Sequence, residues 1–171
     1  MDTNAFYSTA SGLCFTLLGF WWVVVQFRHD ELTSDAPRRR LAFVVSLHFV
    51  IPGIVSLASL LAGDIGLLWR IAFGAAGILG LVAVLLAGRT SIDNAPAALG
   101  LVQRFEWLVA PLYVLITAVA VAPDIARRGL GLQPLQVEGY VLTVIVLLGI
   151  LFAWALFTGP VPRHDADAEA H

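Results

Sequence analysis

The stretch LAFVVSLHFVIPGIVSLASLLAGDIGLLWRIAFGAAGILGLVAVLLA, residues 41–87, decides the fold. Two apolar runs, 41–62 and 65–87, flank the pair Gly63 and Asp64, and each exceeds the roughly 20 residues a helix needs to cross about 30 Å of hydrocarbon. Two intervening residues leave room only for a turn, so the runs must be antiparallel neighbours. Apart from Asp64, Arg70 and His48 the stretch holds no ionisable side chain.

Runs of the same kind occur at 5–27, 99–121 and 140–157. The chain of 171 residues is 59 % hydrophobic and 13 % charged, with a mean hydropathy of +0.86. A soluble domain carries about 25 % charged residues and roughly 45–50 % apolar ones. A helix buried in a soluble core is excluded, because no polar face remains to meet water. The net charge of −2 offers no basic footprint for nucleic acid, and the lone Cys14 forms no internal disulfide. The expected fold is an all-α polytopic membrane protein: a single five-helix transmembrane domain over residues 1–159 and a disordered cytoplasmic tail over 160–171. The first span has no basic segment before it and no small-residue cleavage site after it, so it reads as a retained helix.

All ten basic residues are arginine. Arg28, Arg38, Arg39, Arg40, Arg89 and Arg163 fall on one side of a five-span topology, and Arg127 and Arg128 on the other. Basic residues favour the cytoplasm, which puts the N-terminus outside and the C-terminus in the cytoplasm of a cell-membrane protein. Trp21, Trp22, Trp69 and Trp154 lie toward span ends, where indole favours the interface. In the 123–139 connection, Pro123 and Asp124 suit a helix start and Gly129 a stop, giving one or two turns on the outer surface. His164 and His171 lie beside carboxylates at a spacing that matches no defined metal site, and no cofactor is expected.

The polar residues of the spans fall in stripes. Thr9, Gly12, Thr16, Gly19 and Gln26 share one face of the first span, His48, Pro52, Ser56 and Ser59 one face of the second, and Gln103, Glu106, Tyr113 and Thr117 one face of the fourth. Each is expected to face the bundle, because a polar side chain toward lipid has no partner. The third span carries the small-residue seam Ala72, Ala76, Gly80, Ala83 and Ala87, which suits close helix approach. The fifth is nearly featureless and is expected at the periphery or against another subunit. The second and fourth spans also share a pattern, His48, Phe49, Pro52, Asp64 against Glu106, Trp107, Pro111, Asp124, which would fit a parallel repeat.

Twelve Leu, Ile, Val and Phe residues of the fourth span contribute about −4 to −7 kcal/mol to insertion, against up to about +6 from Arg104 and Glu106. That helix needs partners in the bundle. His48 and Glu106 both lie about 10 Å from the cytoplasmic start of their spans, where an imidazole and a carboxyl on facing stripes could share a proton. Arg70, about 8 Å from the outer end of the third span, either snorkels, pairs with Asp64 or contacts an anion. Its further neighbours at that depth are Tyr7, Ser8, Thr9 and Glu138.

Two functional readings follow. One is a small proton-sensitive transporter or channel subunit whose polar interior comes from spans one, two and four, with His48, Glu106, Gln103, Tyr113 and Arg70 as its polar-path residues. The other is a non-catalytic scaffold or assembly partner of a larger membrane complex. Partners are the lipid bilayer and either further copies of the chain or another membrane subunit. A bis-histidine haem protein is disfavoured because His48 is the only histidine inside a span. An intramembrane hydrolase lacks a nucleophile and base around Ser56, Ser59 or Cys14.

Overall fold

The computed structural model describes residues 2–33, 36–63, 65–88 and 97–158, and every regular element among them is helical. The elements are α1 (Thr3–Phe27), a short α2 (His29–Thr33), α3 (Ala36–Ala62), α4 (Gly66–Gly88), α5 (Ala97–Val121) and α6 (Pro134–Thr158). Four are long and apolar enough to cross a membrane: Thr3–Phe27, Arg38–Ala62, Gly66–Leu86 and Pro134–Thr158. α5 is 25 residues long, and its described apolar part is Trp107–Val121.

Local chemistry sets the helix ends. Asp2 accepts from the backbone amides of Asn4 and Ala5 at 3.0 and 3.3 Å, an N-cap for α1. Gly63 turns the chain between α3 and α4 at a φ of 49°, a left-handed conformation suited to glycine. α6 begins six residues earlier than residue 140, where the apolar run starts. Pro134 occupies its first turn, and the Gln136 side chain accepts from the Gln133 amide at 3.1 Å, half of a capping box. The polar segment QVEG is thereby drawn into the helix. In the 123–139 connection the chain makes a wide π-type turn at Ala126–Leu130, closed by Gly131 at a φ of 65° and not by Gly129.

α3, α4, α5 and α6 pack in a ring, each on the next, and α1 lies against α3 and α6. Side-chain contacts give the directions. Trp21 donates to the Ala42 carbonyl and to Ser46 Oγ, both at 3.1 Å, and Ser11 donates to the Gly53 carbonyl at 3.4 Å, so α1 and α3 are antiparallel. Tyr7 donates to the Leu135 carbonyl at 2.7 Å, and at the far ends Arg28 donates to the carbonyls of Leu156 and Phe157, so α1 and α6 run the same way. α4 meets α5 head to tail, with Arg70 on the carbonyls of Ala120 and Val121 at 2.8 and 2.6 Å.

Three expectations are revised, and Arg70 acquires a contact that the sequence did not name. Thr9, Gly12, Thr16, Gly19 and Gln26 lie on the exposed face of α1, while Tyr7, Ser11, Cys14 and Trp21 face inward. The two threonines need no neighbour, because each hydroxyl donates to its own helix, Thr9 to Ala5 at 2.9 Å and Thr16 to Gly12 at 2.8 Å. α6 is not peripheral: Glu138, Gly139, Leu142, Ile145, Gly149 and Phe152 are buried among its neighbours. Glycine is the cause, since a Cβ on Gly149 would stand 2.7 Å from His48 Cβ and one on Gly139 2.9 Å from the Phe6 ring. Trp21 is a buried helix contact; Trp22 and Trp154 remain exposed. Among the described residues Arg70 meets the C-terminal end of α5, where a cation finds carbonyls left over by the helix. Asp64 lies outside the described residues, as does the 160–171 tail with His164 and His171.

Candidate functional site

The stripe on α3 faces the bundle, as its spacing suggests: His48, Pro52, Ser56 and Ser59 are all buried. Proline 52 lacks an amide proton, so the carbonyl of residue 48 has no i+4 donor in the helix. The His48 ring donates from Nδ1 to its own helix, to the Val44 carbonyl at 2.8 Å. As a neutral imidazole at this contact it carries the proton on Nδ1, which leaves Nε2 as an acceptor. Nε2 is buried without a partner among the described residues, and the ring stands edge-on to Phe152 of α6 at 5.3 Å.

The facing helix supplies the second ionisable group. Glu138 is 0 % exposed, and neither of its carboxyl oxygens has a hydrogen-bond partner among the described residues. It lies one turn into α6, three residues after Leu135, whose carbonyl takes the Tyr7 hydroxyl. α3 and α6 are antiparallel with Gly149 against His48. Eleven residues earlier on α6, Glu138 therefore lies level with residue 59 of α3, about 16 Å from the His48 level along the helix axis. Ser59 is buried there and sits on the same face of α3 as His48, eleven residues or about three turns away. One seam thus carries His48 at one depth and Ser59 with Glu138 at the other.

Buried polar atoms without partners are costly in hydrocarbon, and in membrane bundles they mark paths for protons, ions or substrates. Water, a proton or a small cation would satisfy Nε2 and the carboxyl, and a water between polar groups needs 2–4 partners of this kind. Glu138 is the residue that sequence reasoning named only as a neighbour of Arg70. The signal that could have placed it is Gln133, Pro134 and Gln136, a helix start that puts Glu138 inside the span.

The other expected site residues divide. Tyr113 is 1 % exposed and packs across Gly80 of α4, filling the α4–α5 seam. Arg70 closes the end of α5. Gln103 and Glu106 belong to α5, but their side chains lie outside the described residues, as does that of Arg104. The backbone ring sets α3 and α5 apart, with α4 on one side and α6 on the other, and the described face of His48 meets α6. Among the described residues no group of three or more His, Cys, Asp or Glu could hold a metal. No protein-family model, curated protein or solved structure matches this chain.

Proposed function

We propose that the chain is a five-span protein of the cell membrane, N-terminus outside and C-terminus cytoplasmic, that acts as a small proton-responsive transporter or channel subunit and catalyses no reaction. The observation that carries this reading is the pair of buried ionisable groups with atoms unpartnered among the described residues, His48 and Glu138, on one α3–α6 seam with Ser59 level with Glu138. The polar interior is then contributed by α3 and α6, with Ser11 from α1. α5, the fourth span in chain order, completes the five: its 25 residues make about 37 Å of helix, more than the hydrocarbon thickness.

The test is ion flux in liposomes of purified protein across a pH series and a panel of cations and anions. Glu138→Gln removes the titrating group at nearly constant shape, and His48→Phe removes the imidazole. The expectation is a pH-dependent flux that Glu138→Gln lowers at least tenfold and His48→Phe shifts or abolishes. Flux unaltered by both variants in folded protein would reject the reading.

A scaffold is the second reading, and one observation favours it: the outward face of α1 bears Gly12 and Gly19, each with nothing within 4 Å of a Cβ built there. Small residues let another membrane helix approach closely. Absence of flux together with co-purification of a larger membrane protein through this face would favour it.

A further inference from the structure

α1 and α6 run side by side but are joined chiefly at their ends, by Tyr7 on Leu135 and Phe6 over Gly139 at one and by Arg28 on Leu156 and Phe157 at the other. Between the ends a groove of about 230 Å³ opens sideways, walled by both helices and floored by Pro52 and Ser56 of α3. Its mouth is lined by Leu13, Leu147 and Ile150, all exposed. Close-packed protein leaves few voids larger than a water molecule, so a groove of this volume is room enough for a ligand. The groove lies between membrane-spanning helices, so what meets its mouth is the hydrocarbon of the bilayer.

Its walls present carbon. Thr9 and Thr143 line it, but their hydroxyls donate to their own helices, to the Ala5 and Gly139 carbonyls at 2.9 and 2.8 Å. Ser56 is the exception: 0 % exposed, lining the groove, with an Oγ that has no partner among the described residues. A hydroxyl there offers a donor to a carbonyl oxygen. Depth decides which carbonyl. The 27 residues of α3 make about 40 Å of helix and overhang about 30 Å of hydrocarbon by about 5 Å at each end. Ser56, six residues before the end at Ala62, lies about 9 Å down the helix and so only about 4 Å inside the hydrocarbon edge. Lipid ester groups sit at that edge.

We propose that this groove is a lipid site holding one acyl chain of a glycerophospholipid, with Ser56 donating to its ester carbonyl. The site is independent of the His48 and Glu138 reading and stands or falls separately from it.

The test uses the full chain in vesicles of phosphatidylcholine carrying a photoactivatable group midway along one acyl chain, with cross-linked peptides mapped by mass spectrometry. Labelling is expected to concentrate on Leu13, Leu147 and Ile150 over the equally apolar exposed residues Leu79, Val82 and Leu86 of α4. Thr9→Trp, at an exposed position that fills the groove, should remove the excess. An unlabelled ester lipid should compete better than its diether analogue by about fivefold, the worth of one hydrogen bond, and Ser56→Ala should erase that preference. Labelling spread evenly over α4 and the groove, or undiminished by Thr9→Trp, overturns the site. Equal competition by ester and ether lipids overturns the Ser56 contact.

Discussion

The α4–α5 and α3–α6 interfaces both rest on glycine, yet they do opposite things with the space it provides. On α4, Gly77 and Gly80 receive the backbone and ring of α5: a Cβ on Gly77 would stand 2.9 Å from the Tyr113 carbonyl and 3.0 Å from the Thr117 amide, and one on Gly80 would lie within the Tyr113 ring. The hydroxyl of Thr117 is already satisfied by the Tyr113 carbonyl at 3.0 Å. That interface is closed. On α6, Gly149 admits the Cβ of His48 and the ring of Phe49 from α3, and along that seam an imidazole nitrogen and a carboxyl have no protein partner among the described residues. Close approach is therefore not itself a sign of function. What separates the two seams is whether the polar atoms brought together satisfy one another.

The sharpest way to break the contrast is Gly80→Leu. The side chain would have to displace the Tyr113 ring and the facing helix with it, so the expected loss is about 3 kcal/mol or more, the upper end of overpacking. Thermal unfolding in detergent, with size exclusion to detect a loosened bundle, reads it; an unaltered midpoint would show that the α4–α5 seam is not closed. Next comes Arg70→Gln, which removes charged donors from the end of α5, with an expected cost of about 1.5–3 kcal/mol. Arg70→Lys should keep part of it, since one ammonium still meets the carbonyls. If Arg70→Gln lowers anion binding without altering the unfolding midpoint, the capping role is wrong and the arginine serves a ligand. The smallest effect is expected from Gly19→Leu on the outward face of α1, within about 0.5 kcal/mol, as for surface positions that touch nothing. A larger loss, or conversion of an oligomer to a monomer, would reveal that this open face is covered by another helix.

Several features were legible from residue order. The pair Gly63 and Asp64 between two spans dictated an antiparallel hairpin, and Gly63 makes that turn. The stripe through His48, Pro52, Ser56 and Ser59 pointed inward correctly, because histidine and two serines have more to lose in lipid than leucine does. The alanine and glycine seam of the third span likewise announced close packing. The stripe on α1 misled because Thr9 and Thr16 satisfy themselves, which makes a threonine in a membrane helix as tolerant of lipid as a small apolar residue. The plain look of α6 misled for a related reason: Gly139 and Gly149 among Val, Ile and Leu carry no polarity, only room.

From the sequence alone came the solvent of this protein, the number and length of its apolar runs, one hairpin and the arginine asymmetry behind its proposed orientation. These depend on polarity, and polarity is written residue by residue. Which face of α1 turns inward, the central place of α6, the docking of Arg70 and Arg28 on foreign helix ends, and the burial of Glu138 were decided by tertiary structure. Leucine and valine are equally at ease against lipid and against another helix, so hydrophobic pattern carries no inside or outside within a membrane. There the arrangement follows from shape, from where glycine lets backbones meet, and from which leftover carbonyls and carboxyls that meeting brings into reach.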